Sequence, residues 1–176
     1  MGVCLFHLKQ SNLAMSTPIR LFSPRLSTVS AGAQTLGGAG GSLFQQLGLS
    51  EDSAEQVAGI RRGFPATVIE RLVGVLQMPQ HTVLRIARIA PATLTRRRRS
   101  PEGRLSPDES DRVYRIAAVF SHAVELFEGD MGAAARWFSE PAKALGGAAP
   151  VEQLDTDAGA TQVHDLIGRL EYGVYT

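Results

Sequence analysis

Four consecutive arginines, Arg96 to Arg99, form the segment of this chain best suited to bind a charged ligand. Guanidinium groups pair with phosphate and bond bidentately to guanine, and threonine hydroxyls reach the same groups. Adjacent like charges also repel one another unless an anion compensates them. We therefore predict a DNA-binding site that consists of Thr93, Thr95, Arg96, Arg97, Arg98 and Arg99.

Two short helices must position this run. Pro79 and Pro91 each suit the start of a helix, and Leu84, Ile89 and Leu94 are spaced to pin the two helices together. A helix-turn-helix needs such a joint, because its second helix must enter the major groove rigidly. The turn lacks the glycine that many such motifs contain. The alternative is an ordinary helical hairpin with a solvated basic run, which four acids would partly neutralise: Glu102, Asp108, Glu109 and Asp111.

Helical spacing of apolar residues extends along the chain from Ser42 onward. Ser50 is expected to cap a helix, and Pro65 is expected to lie in the first turn of the next one. The inner face of the first of these helices is predicted to carry Ala54, Val57, Ala58 and Ile60.

Ser106 is predicted to begin the longest helix, because Pro107 follows it and Glu109 stands at the third position of a capping box. Thr156 is predicted to begin the last helix. No segment alternates at period two, so strands are not expected. The predicted fold class is all-α, with a helix-turn-helix-like helical domain followed by a second helical domain.

The charge of the chain is divided unevenly. Residues 1–100 hold twelve Lys and Arg against four Asp and Glu, whereas residues 101–176 hold six against thirteen. This division favours a nucleic-acid partner for the first half and a protein partner for the second, although it is also compatible with chance. We predict a flexible leader at 1–42, a DNA-binding domain at 43–104 and a further domain at 105–176.

The residues do not predict an enzyme, a metal site or a cofactor. The four histidines stand at no metal-ligand spacing: His7, His81, His122 and His164. The glycines of residues 37–41 lack the Lys-Ser/Thr pair of a phosphate loop. We expect neither a catalytic residue nor a small-molecule substrate.

The location of the protein is predicted from weaker signals. No stretch of about eighteen apolar residues predicts a membrane span. The N-terminal segment lacks the features of a signal peptide, and either Met1 or Met15 is compatible with the translation start. A single cysteine, Cys4, fits a reducing compartment. We expect a cytoplasmic protein.

The segment at residues 105–115 resembles a stretch found in the Xre/MbcA/ParS antitoxins. It reads Leu-Ser-Pro-Asp-Glu-Ser-Asp-Arg-Val-Tyr-Arg. The resemblance extends over about residues 60–176. Ala90 and Phe138 depart from it, since serine is frequent at the first position and leucine at the second. The pattern continues at similar spacing through Ala135-Arg-Trp-Phe-Ser-Glu-Pro141, Leu145-Gly-Gly147, Pro150, Leu154-Asp-Thr156, Gly159, Val163, Leu170 and Gly173.

The resemblance implies a partner and a function. The partner would be a RES-domain toxin, of a class that depletes NAD, bound directly by the C-terminal domain at 105–176. The DNA-binding part would repress the shared operon as a homodimer. The alternative function is a stand-alone helix-turn-helix transcription regulator whose acidic half serves for dimerisation.

The C-terminal end is the expected contact with the toxin. It is predicted to form a short tail beyond the last helix, whose tyrosines are suited to insertion into a pocket. The alternative is a frayed terminus. Trp137 is expected in the core, with an interface role as the alternative. The predicted toxin-binding residues are Arg169, Glu171, Tyr172, Gly173, Val174 and Tyr175.

Overall fold

The computed structural model describes residues 41–173, which form an all-α fold, as predicted. In this part of the chain the strand-like pairing is confined to an isolated antiparallel bridge between Pro65 and Arg104. Most of the predicted leader, residues 1–40, lies outside the described residues, as do residues 174–176. The helices are α1 (Leu43–Leu47), α2 (Ser53–Arg62), α3 (Val68–Leu76), α4 (Gln80–Ile86), α5 (Pro91–Arg99), α6 (Pro107–Leu126), α7 (Met131–Ser139) and α8 (Asp157–Glu171), with short 3-10 helices at Lys143–Leu145 and Pro150–Asp155.

Side-chain caps fix the starts of the two helices that matter most for the C-terminal half. The Ser106 hydroxyl accepts from the Glu109 N–H at 3.2 Å, and the Glu109 carboxylate accepts from the Ser106 N–H at 2.7 Å. This reciprocal pair is the predicted capping box of α6. The Thr156 hydroxyl caps α8 by accepting from the Gly159 N–H. Both predicted starts are confirmed.

Two other predicted starts are wrong. Asp52, not Ser50, caps α2, because its carboxylate accepts from the Glu55 N–H while the Ser50 hydroxyl accepts from Asp52 outside the helix. Pro65 does not lie in the first turn of α3, which begins at Val68.

The late start of α3 has a tertiary cause. The Ala66 N–H donates to the Gly103 carbonyl at 2.7 Å, and the Leu105 N–H donates to the Phe64 carbonyl at 2.8 Å. These bonds flank the bridge between Pro65 and Arg104 and hold residues 64–66 against residues 103–105. The Phe64 carbonyl, which would accept from residue 68 in a helix that began at Pro65, is therefore already paired.

The predicted inner face of α2 is only partly confirmed. None of the residues of α2 is fully buried, and Val57 is 47% exposed. Ala54 is exposed as well, whereas Ala58 and Ile60 are half-buried. Helix α2 packs on α6 and leaves Ala54 and Val57, at the beginning of its apolar stripe, exposed.

Helix α6 is the central element of the fold. It packs against α2, α7 and α8, and its residues Val113, Ala117 and Phe120 have no measurable exposure. The ring of Phe120 meets the ring of Phe138 on α7 edge to face, with centroids 5.2 Å apart. Helix α6 is thus in direct contact with α8, the helix that ends at the predicted toxin contact. None of the helices described is long and apolar enough to cross a bilayer.

Candidate functional site

Helices α4 and α5 form the predicted helical pair. Leu84, Ile89 and Leu94, the residues expected to pin the two helices together, are all buried. The turn between the helices contains Arg88 at a φ of 54°, the left-handed region that glycine adopts at little cost. Arg88 thus occupies the turn position at which many helix-turn-helix motifs have a glycine. Ala90 precedes α5 without a side-chain cap, as its residue type predicts.

The arginine run forms the last turn of α5 and is not uniformly available to a ligand. Arg97 Nε lies 3.3 Å from Glu109 Oε2 and forms an ion pair with it. The geometry of this contact is not that of a hydrogen bond. Arg98 Nη2 lies 3.0 Å from Oε1 of Glu70 on α3. Among the ion pairs of residues 41–173, Arg96 and Arg99 take part in none. Of the four acids considered as internal partners of the run, Glu109 forms an ion pair with Arg97. Glu70, the partner of Arg98, was not among those four acids.

Glu109 and Ser110 connect α6 to the segments that precede it. The Glu109 oxygen that faces Arg97 also accepts from the Ser106 N–H, so one carboxylate caps α6 and holds α5. The buried Ser110 hydroxyl accepts from the Phe64 N–H and donates to the Ser106 carbonyl, both at 2.8 Å. This pair of contacts fixes the beginning of α6 to the segment before α3.

Asp111, one of the four acids considered as partners of the arginine run, does not pair with it. Arg112 Nε donates to the Ala87 carbonyl at 2.7 Å and thereby holds the turn between α4 and α5. Asp111 pairs with Arg115, which also reaches Asp157 at the start of α8. The stretch that carries the family resemblance is thus a set of connectors between helices.

A groove of about 910 Å³ runs along the C-terminal half of α8. Of the predicted toxin-binding residues, Arg169 and Tyr172 line it, and Tyr172 is 84% exposed. Glu171 and Gly173 are exposed but do not line it. From α8 the groove is also lined by Gln162, His164, Asp165 and Gly168. From the 3-10 helix at 143–145 and its C-cap it is lined by Ala144, Leu145 and Gly146.

The predicted tail is partly wrong. Arg169 and Glu171 belong to α8, which continues to Glu171, so they are displayed by a helix and not by an extended end. Tyr172 is the C-cap residue of that helix. Val174 and Tyr175 lie outside the described residues.

Sequence reasoning missed one pair of neighbours. The rings of His122 on α6 and His164 on α8 lie 4.4 Å apart at 68° to each other. No spacing signal would have found them, because the contact is made between two helices far apart in the chain. Within residues 41–173 no group of three metal-type ligands exists.

Trp137 has the surroundings expected of a core residue, although it is only half-buried. Its ring lies 6.1 Å from that of Phe127 and 6.3 Å from that of Phe138. These contacts place α7 against the end of α6. The ring packs against the core while part of the indole surface stays exposed.

Comparison with known proteins adds two domain matches. Residues 55–118 match the antitoxin Xre-like helix-turn-helix domain, and residues 122–173 match the antitoxin Xre/MbcA/ParS C-terminal toxin-binding domain. The first match contains α4 and α5, and the second contains the groove along α8.

Three curated proteins are similar over most of their length. "Antitoxin Xre" of Yersinia enterocolitica is 41% identical over 135 residues, which cover 76% of this chain and 90% of the relative. "Antitoxin Xre" of Photorhabdus laumondii is 36% identical, with 75% and 89% covered. "Prs ADP-ribosylating antitoxin" of a Sphingobium species is 23% identical, with 85% and 99% covered.

Proposed function

This chain belongs to the Xre family of antitoxins, the protective partners in toxin–antitoxin systems, and we propose that it neutralises a RES-domain toxin by direct contact. The toxin would deplete NAD, and the antitoxin would cover its active site. We propose further that the chain is not an enzyme, acts in the cytoplasm and represses its own operon as a homodimer.

Two neighbouring side chains at the end of α8 carry the proposal of toxin contact. Arg169 and Tyr172 stand together on one groove, within the segment that matches a toxin-binding domain. Tyrosine and arginine are, with tryptophan, the residue types enriched at the energetic centre of protein interfaces. Because a helix displays them, they reach the toxin with little loss of conformational freedom.

Helix α5 carries the proposal of DNA binding. It follows α4 through a tight, buried joint and ends in four arginines, within the segment that matches a helix-turn-helix domain. The arginines and the Thr93 hydroxyl supply donors for phosphates and base edges, and the Thr95 hydroxyl, which donates to the Pro91 carbonyl, supplies an acceptor for base-edge donors. A homodimer would present two such helices to two half-sites.

Co-expression with the adjacent gene tests the proposed neutralisation. We expect the product of that gene alone to arrest growth in a bacterial host, and co-expression of this chain to restore it. Colony counts on inducing medium measure the effect. An adjacent product that is harmless, or an arrest that this chain does not relieve, would contradict the proposal and favour the stand-alone regulator.

A further inference from the structure

We infer that the arginine run is divided in function, so that Arg96 and Arg99 contact DNA phosphates whereas Arg97 and Arg98 hold α5 in position. This inference rests on the proposed DNA binding and refines it. It assigns the DNA-facing surface to one side of α5 and gives the remaining two arginines a structural partner each.

Helix geometry separates the four side chains into two pairs. At about 100° per residue, Arg97 and Arg98 lie about 60° and 40° to either side of Leu94. Leu94 is the buried residue of α5, so these two arginines flank the face that packs on the protein. By the same count Arg96 and Arg99 lie about 160° and 140° from Leu94, on the opposite side.

The ion pairs agree with this geometry. The side chain of Arg97 is 32% exposed and faces the Glu109 side chain, which is 10% exposed and lies at the start of α6. Arg98 faces Glu70 on α3 at 3.0 Å. Helix α5 is therefore tied to α6 by one arginine and to α3 by the next. A partly buried carboxylate such as that of Glu109 loses more by losing its cation than an exposed one does.

The opposite face of α5 has the properties of a surface that approaches DNA closely. Ala92 shares this side with Arg96 and Arg99, and all three residues are exposed. The methyl group of Ala92 leaves room for the backbone of α5 to come near a duplex. Thr95 stands beside them with its hydroxyl donating to the Pro91 carbonyl, which leaves the oxygen lone pairs as acceptors.

Two double variants with the same change in net charge test the division: Arg96→Ala/Arg99→Ala and Arg97→Ala/Arg98→Ala. Each is prepared in the full chain. The probe is a labelled duplex of the region immediately upstream of this gene, and fluorescence anisotropy gives the affinity over a series of salt concentrations. Thermal unfolding of each variant is measured without DNA.

The expected results differ between the two variants. Loss of Arg96 and Arg99 should reduce the slope of log affinity against log salt by about 1.8, because each phosphate contact contributes about 0.9. Loss of Arg97 and Arg98 should leave the slope unchanged and lower Tm by about 3 °C, since of the four arginines only these two make ion pairs within residues 41–173. The variant Arg97→Lys/Arg98→Lys should recover most of the lost Tm.

The outcomes that overturn the inference are distinct from those that overturn DNA binding itself. Equal slope losses in the two variants, or an equal fall in Tm, would refute the division while leaving DNA binding intact. A wild-type chain that shows no salt-dependent binding to the duplex would refute the proposed DNA binding, and the division with it.

Discussion

A chain that carries Arg169→Ala and Tyr172→Ala is expected to lose the ability to restore growth to cells that produce the toxin. Truncation of an interface hot spot costs about 2 kcal/mol or more, so loss of both residues should weaken toxin binding about 1,000-fold. Both side chains are exposed at the end of α8, so the fold should be unaffected. Growth in co-expression and co-purification of the toxin measure the effect.

The variant Arg96→Ala/Arg99→Ala is the matched control for this result. It also removes exposed side chains, but from α5, and it is expected to neutralise the toxin as the wild type does. Full rescue by the Arg169 and Tyr172 variant at wild-type protein levels would show that the toxin contact lies elsewhere. Loss of rescue in both variants would contradict the separation of the two surfaces.

Gly159→Ala is expected to lower the free energy of unfolding by about 2–3 kcal/mol, the cost of forcing extra atoms into a packed site. Gly159 is buried in the first turn of α8. A Cβ at this position would lie 1.9 Å from the carbonyl oxygen of Gln153 and 2.8 Å from its carbonyl carbon. Because both atoms are backbone, α8 and the 3-10 helix at 150–155 would have to separate.

Gly168→Ala is the control in the same helix. A Cβ at Gly168 meets nothing within 4 Å, so the helix propensity of alanine should raise the free energy of unfolding by up to about 1 kcal/mol. Urea denaturation of the two variants gives both values. A Gly159→Ala variant as stable as Gly168→Ala would show that α8 does not pack against the 3-10 helix as described.

Local signals predicted the features that a few neighbouring residues determine. The capping box of Ser106 and Glu109 and the cap at Thr156 depend on residues three apart, and each was identified from residue type and spacing. The buried joint of Leu84 and Leu94 was predicted in the same way, because a helix repeats its inner face every three or four residues.

Tertiary contacts account for what the sequence did not predict. Glu70 and Arg98 are distant in the chain, and neither residue type identifies the other as its partner. The late start of α3 depends on hydrogen bonds from residues 64–66 to residues 103–105. The groove along α8 likewise exists only because the 3-10 helix at 143–145 folds against that helix.

The stretch at residues 105–115, which carries the family resemblance, has a structural role that the resemblance alone did not predict. Glu109 faces Arg97, Ser110 binds the Phe64 N–H, and Arg112 binds the Ala87 carbonyl. These residues orient the helix-turn-helix on α6, and α6 in turn supports α8. The stretch at 105–115 therefore belongs to the frame of the fold, whereas a later part of the family pattern, Leu145 and Gly146, lines the groove along α8.

NAD consumption by the purified product of the adjacent gene, titrated with the full-length chain, tests the central claim most directly. We predict that NAD loss falls in proportion to the added chain and stops at a sharp end point, as expected for a covered active site. The Arg169 and Tyr172 variant should leave NAD loss largely unchanged at the same concentrations. NAD consumption that continues at its full rate with excess wild-type chain bound would contradict the account.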